Sequence, residues 1–484
     1  MIRFGQYHLH LIATRHSLCR TISSTTALMM VTAADAAPPI HRINEGTQSL
    51  DREIFHKSIP VLAVRVPTLK TGRLRTDLKR STLELARIRA VEPDPENDEM
   101  RLLLLKYQKR DELPAETVDC IEKEGLTLVD YNVQLNYDYW TADDILRALL
   151  PQDLCTETPS GFAHMGHLAH LNLNEEYLPY KHIIGQVILD KNPRLRTIVN
   201  KLDTIHTQFR FFDMELIAGE PDFTVQHIEE RCRFTFDFRE VYWNSRLQVE
   251  HGRLVQTFYP QDGIIADVMA GVGPFVIPAA KKGCAVLAND LNPNSVKWLQ
   301  KNVDDNGVSA NVRVYCQDGR DFIRSSIKRA LYQPFPPFSS RKPSKRKQKH
   351  DKRRSRQDKM RDNGFRTRSP ISSERPNRNR IGHFVMNLPD SAIEFLDAFR
   401  GIFKTKDQEE LIGLYETMPL VHCYCFTRFL DPRKAEEDIR ERIEVSLGGS
   451  LEDEVSLHHV RSVAPNKDMY CISFRLPRSI AMVA

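Results

Sequence analysis

The sequence predicts a Rossmann-like α/β fold, a seven-stranded sheet flanked by helices and preceded by an α+β domain. Three observations carry this reading. Strand-like and helix-like runs alternate from Gly263 to the C-terminus, the pattern of a largely parallel sheet. The run Asp267-Val-Met-Ala-Gly-Val-Gly-Pro-Phe275 places two glycines directly after the first strand. Leu287-Ala-Asn-Asp-Leu-Asn292 then places an acid, Asp290, at the end of the second.

The elements follow in order. Residues 35–112 are polar and strongly charged, with a weak helical pattern in Ser81–Arg89, and read as a partly ordered N-terminal region. An α+β domain is expected over residues 113–260. It opens with a helix at Thr141–Leu149, where Thr141 is a good N-cap with acids in the first turn. Apolar strands are expected at Ile183–Leu189, Glu215–Ala218 and Cys232–Phe238. The sheet domain, residues 261–484, begins with strand Ile264–Met269 and a helix through Lys282. Strand Ala285–Asn289, helix Ser295–Asp304 and strand Val312–Gln317, ending at Asp318, continue the alternation. A basic insert, residues 333–380, then interrupts it. The pattern resumes with strand His383–Asn387, helix Ser391–Phe403, strand Leu420–Phe426 and helix Arg433–Leu447. Strands Ser456–Val463 and Met469–Leu476 close the chain as a hairpin.

Charge is unevenly placed. Ser339–Arg380 holds 17 Lys/Arg against 4 Asp/Glu, a local +13, so a whole-chain charge of +5 leaves −8 elsewhere. Such a segment cannot bury a core. It reads as a solvated loop, a nuclear import signal or an arm that raises nucleic-acid affinity by releasing counterions. The first 34 residues contain no acid and carry Arg3, Arg15 and Arg20 among Ser, Thr and apolar residues, the composition of a mitochondrial presequence. The nine cysteines include no C-x-x-C pair, which argues against a zinc site and points to a reducing compartment. No apolar run reaches membrane-span length.

The glycine turn carries chemistry. Gly271 and Gly273 allow a tight turn close to a ligand, and Asp290, 19 residues beyond the first of them, is placed to accept a ribose hydroxyl pair. Pro274 stands where a phosphate-binding helix would offer an N–H. A cofactor with ribose and adenine but no pyrophosphate fits better, which predicts S-adenosyl-L-methionine. Asn387-Leu-Pro389 falls at the same sheet edge, where an Asn amide offers a donor and an acceptor to a nucleobase. Upstream, Tyr242, Arg246 and Glu250 are four apart, as on one helical face. Such a carboxylate can act as a general base held by a facing Arg, but spacing alone favours an ordinary Arg246–Glu250 ion pair on a solvated helix.

Four motifs together, F-D-F-R-E-V-Y-W-N-S-R-L-Q-V-E-H (Phe236–His251), D-V-M-A-G-V-G-P-F, N-D-L-N-P and M-N-L-P, strongly resemble the eukaryotic and archaeal tRNA (guanine-37, N1)-methyltransferases. His170–Lys191 is similar to that family's second domain, and the resemblance runs from about Leu113 to the C-terminus without the insert. It implies a seven-stranded methyltransferase sheet and a tRNA with guanosine at position 37 as substrate. Glu250 would match the general base, Arg210 the arginine that stabilises charge on O6, Asn387 the reader of the guanine edge, Tyr242 an aromatic near cofactor and base, and Arg246 a supporting cation. The cofactor set would be His251, Asp267, Gly271, Gly273, Asp290 on the ribose, Leu291, Asp318 on the adenine amino group, Gly319 and Asn387. A free glutamate, with a pKa of about 4.3, is ionised at neutral pH and can accept a proton. An Arg aimed at O6 would act as an oxyanion site does. A relative that transfers an aminocarboxypropyl group from the same cofactor, and an inactive RNA binder, are the alternatives. The resemblance and composition together predict a monomer, with pools in the mitochondrial matrix, nucleus and cytoplasm.

Overall fold

The computed structural model describes residues 30–205, 212–337, 378–404, 408–452 and 454–482. They form two compact units, one from residues up to 44 with 50–158, the other from 45–49 with 159 onward. The break at Thr158–Pro159 differs from the boundary expected at residues 112 and 113. Most of the presequence and the basic insert, and all of Arg210, lie outside the described residues. Met30 bridges Tyr107, and the Val31 N–H donates to Lys106 O at 2.7 Å. Folded chain therefore begins before residue 34.

The first unit is ordered where partial order was expected. Strands β1 (Lys57–Pro67), β2 (Val91–Pro93), β3 (Met100–Leu104) and β4 (Thr127–Leu135) form an antiparallel sheet in the order β2-β3-β1-β4. Helices α1 (Thr71–Asp77), α2 (Ala115–Lys123) and α3 (Ala142–Leu149) accompany it. Leu62, Val64, Val66, Leu103 and Leu105 share a buried cluster with Leu74 and Leu78. The apolar residues are concentrated in β1 and β3, so the charged stretches between them dominate the average composition. Ser81–Arg89 is not helical: Ser81 ends a 3-10 turn and Thr82 bridges Leu105. At α3, Thr141 is the N-cap, as the sequence predicts, and the structure adds a reciprocal bond from Asp144.

In the second unit, strands β5 (Ala163–Met165), β6 (Leu168–Leu171), β7 (Thr197–Ile205) and β8 (Phe212–Gly219) form a four-stranded sheet. The run Ile183–Leu189, read as a strand, is instead helix α4 (Lys181–Lys191). Ile183, Ile184, Gly185, Val187 and Ile188 are all buried, so the run shows no polar face and periodicity cannot separate helix from strand. At Gly185 an added Cβ would meet Ile217 Cγ1 at 2.9 Å and Ala218 Cβ at 3.2 Å, which sets how closely α4 approaches β8.

The hairpin β9 (Thr224–Glu229) and β10 (Cys232–Asp237) leads through a 3-10 turn, Ser245–Leu247, to α5 (Gln248–Gln256). Strands β11 (Ile264–Asp267), β12 (Ala285–Asn289), β13 (Val312–Tyr315), β14 (Ile381–Met386), β15 (Leu420–Thr427), β16 (Val455–Ala464) and β17 (Lys467–Arg475) then build a sheet ordered β13-β12-β11-β14-β15-β17-β16. The first five are parallel, and β17 runs antiparallel to both β15 and β16. This is the seven-stranded arrangement the sequence predicts. Helices α6 (Val276–Lys281), α7 (Pro293–Asp305) and α8 (Gly319–Tyr332) follow β11, β12 and β13. One core places α5, α6, α7 and the β9–β10 hairpin residues Phe234 and Phe236 against Ile265, Val286 and Ala288. The other places α8, the Ala392–Phe399 turn and helix Pro432–Leu447 against Ala266, Leu287 and Phe384. The segment Ala392–Phe399, read as α-helix, is 3-10. Alternating sides in neighbouring strands residues therefore serve opposite cores, as buried strands require.

The insert leaves and re-enters the fold at adjacent points. Phe335 N–H donates to Arg378 O at 3.0 Å, and Arg378 Nη1 donates to Pro336 O at 3.2 Å. The sheet closes across this junction.

Gly185→Val should destabilise the protein by about 1–3 kcal/mol, as overpacking does. Chemical denaturation followed by circular dichroism measures it; unchanged stability would show that α4 moves away from β8 at no cost.

Candidate active site

The carboxyl ends of β11, β12, β13 and β14 lie side by side, the place where open α/β sheets bind ligands. Asn289, at the end of β12 and buried, holds this edge together. Its Nδ2 donates to Val268 O at 3.1 Å and Gln317 O at 3.0 Å, while its Oδ1 accepts from Gln317 N at 3.0 Å. Its backbone carbonyl accepts from Ala270 N at 2.7 Å. One side chain at the end of β12 thus ties together the loops after β11 and β13.

The glycine turn is fixed against the next strand. Gly271 N–H donates to Asp290 Oδ2 at 2.8 Å, and Asn292 N–H donates to Asp290 Oδ1 at 2.9 Å. Gly271 has φ 54° and Gly273 φ 98°, values that L side chains rarely adopt. An added Cβ at Gly271 meets nothing within 4 Å, whereas at Gly273 it would meet Leu299 Cδ1 at 2.7 Å. Gly273 lets the turn pack inward, and Gly271 faces open space. Asp290 keeps lone pairs beyond these two bonds, and burial raises its pKa while the backbone donors of Asn292 and Gly271 oppose the rise.

Around that space the structure gathers the other predicted cofactor residues. Asp318 is exposed beyond β13 and caps α8 by accepting from Arg320 N at 2.8 Å. Gly319 is buried; a Cβ there would meet Phe395 at 3.0 Å and Val268 Cγ1 at 3.2 Å. Leu291 is 45% exposed, ready to cover an apolar ligand face. Asp267 ends β11 with both carboxylate oxygens buried and unpartnered among the described residues. Burial and the nearby Asp290 raise its pKa well above the ordinary value. Asn387 follows β14, and its Oδ1 is likewise buried without a partner. Unsatisfied buried acceptors of this kind mark a ligand's place. An open, acid-lined cradle with orphan acceptors fits a ribose and an adenine.

The upstream residues divide. Helix α5 carries Glu250 and His251, both buried. His251 Nδ1 lies 2.7 Å from Glu229 Oε1, and its ring sits edge-on to Phe275, 4.9 Å between centroids, directly after the glycine turn. Glu250 does not pair with Arg246. Arg253 clamps it instead, Nε to Oε2 at 2.6 Å and Nη2 to Oε1 at 2.7 Å, and this bond raises the guanidinium pKa despite burial. Tyr424 OH, from β15, donates to Glu250 Oε1 at 2.7 Å, and His458 Nε2, from β16, stands 3.3 Å from Oε2. Tyr424 packs against Phe275 at 5.9 Å between centroids, so Glu250 adjoins the glycine turn through two rings.

Tyr242 and Arg246 are exposed and off the helix, so the three residues four apart do not share one helical face. Asn244 causes the offset. Its side chain accepts from Arg246 N at 3.1 Å and starts a 3-10 turn, which delays the α-helix to Gln248. Asn289, Arg253, Tyr424 and His458 are the neighbours that sequence reasoning missed. Only Arg253, three residues from Glu250, had a local signal.

Residues 142–222 match the family model described as the TYW2 N-terminal domain, and residues 224–332 the TRM5/TYW2 methyltransferase domain. A tRNA (guanine(37)-N(1))-methyltransferase of Coprinopsis cinerea is 53% identical over 92% of this chain and 97% of its own length. The chain belongs to the tRNA (guanine(37)-N(1))-methyltransferase family. A member from Schizosaccharomyces pombe is 45% identical over 90% of this chain and 94% of its own. Among solved structures, wild-type Trm5b of Pyrococcus abyssi covers 86% of this chain and 99% of its own at a TM-score of 0.50 and 21% identity. The aTrm5 chain of a complex with tRNALeu matches at a TM-score of 0.53 and 16% identity, covering 86% and 100%. These two share the fold. Methyltransferases of this family take their methyl group from S-adenosyl-L-methionine, which agrees with the cradle at Gly271 and Asp290. No helix among the described residues is long and apolar enough to cross a membrane.

Asp267 gives a test by pH. A carboxyl whose pKa is raised by folding holds its proton more tightly in the folded state. It favours the fold at low pH, and that contribution is lost as pH rises above the ordinary value of 3.8 toward the raised one. Asp267→Asn should therefore gain melting temperature over the cofactor-free wild type as pH rises, levelling off once the native carboxyl ionises. A gap that shrank with rising pH would contradict this.

Proposed function

We propose that this family member methylates N1 of guanosine 37 in tRNA with Glu250 as general base and Asn387 as reader of the guanine edge. The observation that carries this is the orphan Asn387 Oδ1 at the cofactor edge, an acceptor that suits the N–H donors of guanine's Watson–Crick edge. S-adenosyl-L-methionine, when bound, supplies an electrophilic methyl group on its sulfonium. Asp290 would hold its ribose and Asp318 its adenine amino group. Glu250 removes the N1 proton as the N1–methyl bond forms, and Arg210 stabilises the charge that reaches O6. Taking the proton costs Glu250 one of its bonds to Arg253 or Tyr424. Exposed Tyr242 offers a stacking surface to the flipped nucleotide, with Arg246 beside it for phosphate.

The same reading makes the product the first step toward wybutosine and a safeguard of reading frame. The protein acts as a monomer on tRNA carrying guanosine 37, and the basic insert strengthens its hold on the phosphate backbone. Pools are expected in the mitochondrial matrix, nucleus and cytoplasm. Aminocarboxypropyl transfer is the second reading, since the matching domain models are shared between the two activities.

Incubation with S-adenosyl-L-methionine and a transcript bearing guanosine 37, followed by nucleoside mass spectrometry, should yield N1-methylguanosine. Glu250→Gln should slow single-turnover methylation by roughly 10²–10⁴-fold with cofactor affinity little changed, and Asn387→Ala should mainly weaken guanine placement. An aminocarboxypropyl product would support the second reading. A full rate in Glu250→Gln would return Glu250 to an ion-pair role. Separately, residues 1–34 fused to a reporter should carry it to mitochondria, and a wholly cytosolic reporter would remove that location.

A further inference from the structure

A buried carboxylate that takes a proton must lose it before the next turnover. Glu250 is 4% exposed and cannot hand its proton to bulk water directly. Of the side chains that meet its carboxylate, Arg253 and Tyr424 donate. Neither accepts a proton near neutral pH. His458 differs. Its Nε2 stands 3.3 Å from Glu250 Oε2, and its side chain is 43% exposed on the edge strand β16. One end of the ring meets the buried carboxylate while the strand's outer face meets water.

We infer that His458 carries the proton from Glu250 to solvent, completing each round of methylation; this rests on Glu250 being the base. The proton that leaves guanine N1 rests on Glu250 Oε2 and passes to His458 Nε2. The imidazolium then releases a proton from Nδ1 to water, and exchange of the ring tautomer restores the acceptor. No bond other than N–H and O–H changes, and no oxidant or further reactant is needed. The surroundings suit a neutral acceptor. Partial burial and the guanidinium of Arg253 lower the His458 pKa, His459 adds to this, and Glu250 opposes it. Cys471 lies opposite His458 in the strand register and is buried, its thiol pushed up to about 12, so it stays protonated and does not compete for the proton. His458 is here a relay: it acts through Glu250 and need not touch the base.

The test follows proton release and methyl transfer together, in weakly buffered solution with a pH indicator and the full chain. In the wild type, the proton should appear in step with N1-methylguanosine. In His458→Gln, which keeps a polar side chain without a titratable ring, proton release should lag methyl transfer and turnover should fall by about tenfold or more. In His458→Ala, added imidazole should restore turnover, a readout that a merely structural role would not move. Melting temperature and cofactor affinity of both variants establish that they fold. Proton release in step with methyl transfer at the wild-type rate in His458→Gln would overturn the relay while Glu250 stood as base. So would a slow His458→Ala that imidazole leaves unchanged. A full methylation rate in Glu250→Gln would remove both readings together.

Discussion

The Asn289 amide is the joint on which this site depends. Three strands end at one edge, and each sends its chain off in a different direction. The Asn289 side chain is what joins the loop after β11 to the loop after β13. Asn289 satisfies carbonyls from both and takes an N–H in return. A buried amide with every bond made is stiff, because any movement leaves a polar group unpaired at a cost of about 1–3 kcal/mol. The positions of Asp267, Asp290 and Asp318 relative to one another follow from that stiffness. The orphan acceptors of Asp267 and Asn387 are then tolerable, since the rigid frame prevents them from relaxing toward partners of their own.

A second fixed point sits across the glycine turn. Glu250 joins α5 to β15 through Tyr424 and closes its own charge with Arg253. Burying a charge pair contributes little net stability, but removing one member is expensive. The pair therefore specifies where α5 docks rather than how firmly the domain holds. Phe275 contacts both His251, edge-on, and Tyr424, so the glycine turn and the helix that carries the carboxylate are packed on one aromatic cluster. The Glu250 carboxylate and the glycine turn are thus joined by contact.

Much of this was legible in the sequence because the relevant signals are local. Gly271, Gly273 and Asp290 lie within one strand-turn-helix-strand unit, and the alternation of apolar runs set the seven strands in place. The errors also have local causes. Asn244 shifts the helix start and so moves Glu250 from Arg246 to Arg253. Helix α4 is buried on so many sides that its apolar run shows no period. The charged average of residues 35–112 hid two apolar strands. Tyr424 had no signal at all: it reaches Glu250 from 174 residues away, and His458 comes from a strand further still. The β16–β17 hairpin was legible, but nothing local announced that β17 would return antiparallel to β15 and so bring His458 to Glu250.

The junction at Phe335 and Arg378 makes that point of the chain an open port. Its two ends are pinned to each other by one backbone bond and one from the Arg378 guanidinium, so the sheet does not depend on what is spliced between them. Once a loop is closed, each doubling of its length costs only about 0.6 kcal/mol. A fluorescent domain or an affinity handle inserted there would ride on the enzyme without entering its core.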